Sequence, residues 1–172
     1  MNFTNDQIDL ELLPKIDDIE YVSVEEKYKK VLFGEYILLW GIPLLIAVIA
    51  AIFIPEQRIA LLAVALFFLI LMLVMLFSVS KIYNFLGYAL RENDVCLRKG
   101  LFFRKYIIVP FNRIQHITVE QGVLSRAFGL ASFEVFSAAG NENNFVLKGI
   151  TKERADEMKQ FILQKIKTDD TN

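Results

Sequence analysis

Two long apolar runs organise the chain. Tyr36–Ile54 is the first and contains Gly41 and Pro43; Ile59–Val79 is the second, with Ser78 as its only polar side chain. Pro55-Glu56-Gln57-Arg58 separates them, and neither run holds a charged residue. As α-helices they would span about 28 and 31 Å, close to the roughly 30 Å hydrocarbon core of a bilayer. Large apolar residues each favour insertion by roughly 0.3–0.6 kcal/mol, with no charge to oppose it. The pattern predicts a transmembrane helical hairpin, 36–54 and 59–79. The alternative is a buried helix pair in a soluble protein, but a soluble helix of this length would show a polar face.

Upstream, residues 1–35 read as an N-terminal tail ending in a short amphipathic helix. Met1–Glu20 interleaves six acidic residues with Leu10, Leu12, Leu13, Ile16 and Ile19, without a clean period. This fits either docking through Leu12 and Leu13 or a solvated tail. Ser23-Val24-Glu25-Glu26 has the spacing of a capping box, with Ser23 as N-cap. Val24, Tyr28, Val31 and Leu32 then share one face, which predicts an interfacial helix or simple continuity with the first span.

After Val79 the period changes. Lys81–Asn84 reads as the last turn of the second helix, and strands are predicted over Phe85–Leu90, Val95–Lys99, Phe102–Val109, Arg113–Gln121, Ala131–Ala138 and Asn144–Lys148. Arg91–Asp94, Gly100-Leu101, Pro110–Asn112 and the Gly140–Asn143 loop are the breaks. The apolar register changes between Ile114 and Ile117, so a bulge is expected there. A short helix is expected around Leu124–Phe128. From Thr151, a predicted N-cap, Ala155, Met158, Ile162 and Ile166 form one apolar stripe of a last helix. The expected architecture is an α+β membrane protein. It has a two-helix hairpin, then a small antiparallel β-barrel or sandwich over 85–167 capped by a C-terminal helix, then a polar tail, 168–172.

Composition narrows the function classes. The 172-residue chain is 55% hydrophobic with a formal net charge of −1, so it lacks the global basic field of a nucleic-acid binder. One cysteine excludes an internal disulfide, and no metal-ligand spacing, phosphate loop or nucleophile elbow appears. His116 and Cys96 are each the only residue of their type and lie in predicted strands without partners. No catalytic residue, cofactor or metal is expected. Two spans without an intramembrane charge also argue against a transporter acting alone.

Charge sets the orientation. Lys27, Lys29 and Lys30 precede the first span, and Lys81, Arg91, Arg98 and Lys99 follow the second; the turn between the spans holds only Arg58. The positive-inside rule places both termini in the cytoplasm.

Tyr88 and Leu90, then Leu97-Arg98-Lys99-Gly100-Leu101, then Val109-Pro110-Phe111-Asn112-Arg113-Ile114-Gln115 form an ordered series of motifs. Val119-Glu120-Gln121-Gly122, Arg126-Ala127-Phe128-Gly129-Leu130 and Gly149-Ile150 complete it. The series resembles the bacterial pleckstrin-homology-like domain membrane proteins of the YdbS type, as does the preceding hairpin. The resemblance implies a PH-like barrel on the inner face of a bacterial cytoplasmic membrane. It also implies a membrane-protein partner, such as a larger protein carrying several such domains. It points to an interaction or scaffold module in an envelope complex rather than to an activity. A lipid-headgroup-sensing membrane domain and a small subunit of a transporter or export assembly are the alternative readings, and assembly of several copies stays open.

Within the motifs, Gly100, Gly122 and Gly129 suit turns needing positive φ or close backbone approach, and Pro110 suits a strand end. Arg113, Gln115 and Gln121 fit either ligand contact or satisfaction of loop carbonyls. Leu124, Arg126 and Phe128 form a candidate interaction turn. The tip Lys99-Gly100-Leu101-Phe102-Phe103-Arg104-Lys105 combines apolar side chains with cations, which suits contact with an anionic leaflet. The competing reading makes Phe102 and Phe103 ordinary strand residues. Phosphoinositide recognition through the first hairpin loop is not expected, because Arg91-Glu92-Asn93-Asp94 carries too many acids.

Overall fold

The computed structural model describes residues 19–101, 103–137 and 145–169. The expectations for residues 1–18, Phe102, the Gly140–Asn143 loop and the last three residues lie outside these.

Two helices form an antiparallel hairpin: α1, Tyr28–Phe53, and α2, Arg58–Phe85, joined by a 3-10 turn over Pro55–Gln57. Both are long and apolar enough to cross a membrane. Their large side chains, among them Leu39, Leu45, Ile46, Leu66 and Phe67, are exposed, as lipid-facing residues are and soluble core residues are not. Ala47, Ala51 and Ala65 are buried along the hairpin, where small side chains let helix backbones approach. α1 continues through Pro43. At the turn, Arg58 Nε donates to the Ala51 carbonyl at 3.3 Å, satisfying one of the last carbonyls of α1.

The β-rich part is a sandwich of two antiparallel sheets. Sheet A has the order β1-β2-β3-β4, with β1 Val22–Ser23, β2 Gly87–Leu90, β3 Asp94–Lys99 and β4 Lys105–Pro110. Sheet B has the order β5-β6-β7, with β5 Ile114–Glu120, β6 Leu130–Ser137 and β7 Phe145–Thr151. A short helix, α3 (Val123–Ala127), lies between β5 and β6, and the last helix is α4, Lys152–Asp169. Val95, Leu97, Ile107 and Val109 from sheet A meet Phe133, Val135, Phe145 and Leu147 from sheet B in one core. The expected bulge falls between Ile114 and His116, and a second irregularity lies between Ala131 and Ser132. Thr151 Oγ1 accepts from the Arg154 backbone N–H at 3.1 Å, so it does cap α4. Ala155, Met158 and Ile162 bury the stripe of α4, and Phe161 packs edge-on to Phe111 at 6.2 Å.

Five local expectations are corrected. Ser23 is not a helix N-cap: Ser23 pairs with Gly87 as part of β1, and α1 begins only at Tyr28. Backbone pairing with a waiting sheet edge outcompetes one side-chain cap. The face of Val24, Tyr28, Val31 and Leu32 is not interfacial, because it is buried in the sandwich core. α2 runs through Phe85, so β2 starts at Gly87, and the β3–β4 tip is wider than expected, with β4 starting at Lys105. Gly122 has φ −64° and open space where a Cβ would sit, so it needs no glycine. The positions that need glycine are Gly100, whose Cβ would overlap the Phe103 carbonyl, Gly129, at φ +71° as expected, and Gly149, which no turn signal marked.

Candidate functional site

The root of the hairpin is part of the domain. Val31 and Val79 are fully buried in the sandwich core, beside Leu32 and Tyr83. Tyr83 donates its hydroxyl to the Val24 carbonyl at 2.8 Å, and the Glu25 N–H donates to the Gly149 carbonyl at 2.8 Å. The segment before α1 therefore bonds to both sheets: Val22 and Ser23 pair with β2 of sheet A, and Glu25 reaches β7 of sheet B. Lys29 lies over the Tyr83 ring, 4.3 Å from its centroid.

The β3–β4 tip stands at the same end of the sandwich as this root. β2 leaves the end of α2, and β3 returns antiparallel, pairing Arg98 with Gly87. Arg98 Nε donates to the Phe85 carbonyl at 3.2 Å, a cation at a helix C-terminus. Two guanidinium groups, Arg98 and Arg104, each lie over the Phe85 ring at 5.0 Å from its centroid, and Arg98 also stacks on Tyr21 at 4.8 Å. Phe103, at the tip, is 91% exposed, and Leu101 is half-buried. Lys99 and Lys105 sit directly opposite each other at the ends of β3 and β4. Partial burial, then repulsion by Lys105 and Lys148, push the Lys99 pKa below the usual lysine range.

The α3 turn is only partly the surface its sequence suggested. Leu124 and Phe128 pack against the core, and Leu124 Cδ1 lies 3.3 Å from where a Cβ on Gly34 of α1 would sit. Arg126 is exposed, and Val123, which sequence reasoning passed over, is 80% exposed beside it.

The motif residues divide by role. Gln121 Nε2 donates to the Leu130 carbonyl at 2.9 Å, a structural bridge across the α3 turn. Arg113 and Gln115 are exposed, and Pro110 ends β4. Arg91 forms a two-pronged pair with Asp94, so the first hairpin loop holds its own cation. His116 is stacked on Phe136 at 4.2 Å. Burial pushes the Cys96 thiol up to about 12, with help from Asp94, so it is no nucleophile. Among the described residues no group of three or more His, Cys, Asp or Glu is placed to hold a metal ion. A cavity of about 390 Å³ lies between β1 and α4, lined by Glu25, Tyr88, Glu153, Arg154 and Glu157, with Arg154 Nε donating to the Tyr88 hydroxyl at 3.2 Å.

A two-sheet sandwich with a C-terminal helix, carried on an apolar hairpin, defines a PH-like domain of a membrane protein. The family model for the bacterial PH domain matches residues 31–166, and the chain belongs to that family. It is 28% identical over 85 residues to the UPF0699 transmembrane protein YdbS of Bacillus subtilis (strain 168), covering 48% of this chain and 52% of that protein. The chain thus spans about half the length of that curated relative. No solved structure matches it.

Proposed function

We propose that the chain is a non-catalytic, membrane-anchored PH-like scaffold at the cytoplasmic face of a bacterial membrane, acting as a subunit of an envelope complex. The observation that carries this reading is the burial of Val31, Leu32, Val79 and Tyr83 in the sandwich core. A domain tethered for mere proximity needs only a flexible linker. Here the spans and the sheets share one core, which supports a platform held at fixed height and tilt. Pairing of Val22 with Tyr88 also supports an even number of crossings, since both ends of the hairpin must lie on one side of the bilayer. The cations flanking the spans support the cytoplasmic side. The proposed partner is a membrane protein, and a larger relative with several PH-like domains fits the family. The exposed Val123 and Arg126 are the proposed contact. Purification in mild detergent followed by mass spectrometry tests the reading. A stoichiometric membrane protein, lost on Arg126→Glu, is expected; recovery of the chain alone overturns it.

A second reading rests on the tip. Phe103 is exposed, Arg104 adjoins it, and the tip stands at the hairpin-root end of the sandwich. This supports contact of the Lys99–Lys105 tip, Leu101 included, with the inner leaflet. Phe103→Trp in a Trp40→Phe background should give blue-shifted emission in bilayers. Emission typical of a water-exposed indole overturns the tip contact.

A further inference from the structure

Sheet A carries apolar residues on the face that points away from the core. Val95, Leu97, Ile107 and Val109 point inward, so by alternation Cys96 and Arg98 on β3 and Tyr106 and Ile108 on β4 point outward. Strand pairing aligns Ala89, Cys96 and Ile108 in one outer row, and Gly87, Arg98 and Tyr106 in the next. An antiparallel sheet with one face in water carries polar residues there. Unbroken runs such as Val95-Cys96-Leu97 and Ile107-Ile108-Val109 belong to strands covered on both faces. Burial agrees: Cys96 is fully buried and Ala89 nearly so, whereas Ile108, at the end of the row, is 39% exposed. Tyr21 crosses this face. Its Cβ lies 3.2 Å from where a Cβ on Gly87 would sit, and its ring centroid is 6.4 Å from that of Tyr106. The Tyr21 hydroxyl is buried without a hydrogen-bond partner among the described residues. An orphan of that kind costs about 1–3 kcal/mol unless a group from above the sheet satisfies it.

We infer that the stretch Leu10–Ile19, which leads into Tyr21, docks on the outer face of sheet A over Ala89, Cys96 and Ile108. The chain enters the described residues at Ile19, two positions before Tyr21, so the stretch is tethered at the face it covers. A short tether gives an effective concentration of about the millimolar range, which favours this stretch over a separate partner. It is ten residues long and reaches up to about 33 Å. The three long strands of sheet A are about 10 Å across and at most about 20 Å long, so the reach suffices. Leu10, Leu12, Leu13, Ile16 and Ile19 supply the apolar side chains that the row lacks on its outer side. Charge is complementary as well. Asp94 neutralises Arg91, so Arg98 is the cation of this face without a carboxylate among the described residues. Glu11, Asp17 and Asp18 outnumber Lys15 in the stretch and supply one. The inference depends neither on a membrane partner nor on lipid contact at the tip.

Photo-crosslinking of the full chain in mild detergent tests this. p-Benzoylphenylalanine replaces Ile108 in one variant and Tyr106, in the neighbouring row, in a second, so that the test survives if either fails to fold. Illuminated protein is digested and the crosslinks are mapped by mass spectrometry. A crosslink within one chain, from position 108 or 106 to a peptide inside residues 1–18, is expected. Its yield should fall at least fivefold when Leu12→Asp and Leu13→Asp are combined. The same photoreactive residue in place of Lys148, exposed on β7 of the other sheet, should not capture that peptide. Crosslinks joining two chains would mean that a second copy covers the face, and their dominance overturns the inference. So do crosslinks confined to other parts of the chain, the absence of any protein crosslink from both positions, equal capture from position 148, or a yield indifferent to the double substitution.

Discussion

The Tyr83 hydroxyl donates a 2.8 Å hydrogen bond to the Val24 carbonyl, so the last turns of α2 are fastened to the segment that leads into α1. Both groups are buried. Tyr83→Phe leaves the Val24 carbonyl without that donor, at an expected cost of about 1–3 kcal/mol. Denaturant unfolding in mild detergent, followed by a tertiary signal, measures it. An unchanged midpoint would mean that the two helix roots are not joined through this bond.

Gly149 has φ +83°, and a Cβ there would overlap the Tyr28 ring. Gly149→Ala is expected to destabilise by about 2 kcal/mol or more, since left-handed backbone alone costs a non-glycine residue about 1–2 kcal/mol. Gly122→Ala, at ordinary φ and in open space, should stay within about 0.5 kcal/mol of wild type. The same unfolding assay compares the pair.

Neighbouring residues on α4 give a second contrast. Ile162 is fully buried, and Leu163 is 41% exposed. Ile162→Ala should cost about 2–5 kcal/mol, and Leu163→Ala less than about 1 kcal/mol. Equal losses would mean that the helix is rotated on the sandwich.

Arg98 caps the Phe85 carbonyl and stacks on the rings of Tyr21 and Phe85. Arg98→Ala should cost about 1–3 kcal/mol, from one charged hydrogen bond and two stacked contacts. Arg98→Lys should recover less than half of that, because an ammonium lacks the planar face that stacks. Full rescue by lysine would reduce the role to charge alone.

Cys96 sets a pH dependence. Its thiol is neutral and its folded pKa is raised, so its contribution is complete below the unfolded value of about 8.5. It is lost as pH rises from there toward about 12, because the unfolded chain gives up a proton that the folded chain retains. The stability advantage of wild type over Cys96→Ala should shrink between pH 9 and 10, by at most about 1.4 kcal/mol per pH unit. An advantage that stays level across that range would mean the thiol ionises as easily folded as unfolded.

The hairpin and most strands were legible because they are written in the local pattern: unbroken apolar runs, the β-prone Ile107-Ile108-Val109, alternation in Ser132–Val135, and a helical stripe in α4. The N-terminal edge was not. β1 has only two residues, too few for alternation to register, and Ser23 with Glu26 copies the spacing of a helix cap. What distinguishes the two readings is the β2 edge, which lies 64 residues further along the chain at Gly87↔Ser23. The same holds for the candidate sites. The tip was visible as apolar and basic residues adjacent in sequence, whereas the packing of Leu124 and Phe128 against the core arises only when the sandwich is assembled. Gly149 gave no local signal, because the ring it accommodates belongs to α1.

The pairing of β1 with β2 also bears on how the chain is made. Val22 and Ser23 are synthesised before the hairpin, and Gly87 and Tyr88 after it. The first strand must therefore wait for its partner until both apolar helices have been threaded. A chain halted with a single crossing would leave β1 and β2 on opposite sides of a barrier about 30 Å thick. Such a chain would keep β2 as a bare edge and lack the Glu25–Gly149 bond, an open state that proteases and aggregation act upon. Pairing of β1 with β2 thus requires both ends of the hairpin on one side of the bilayer, so the finished sheet and a doubly crossed hairpin imply each other.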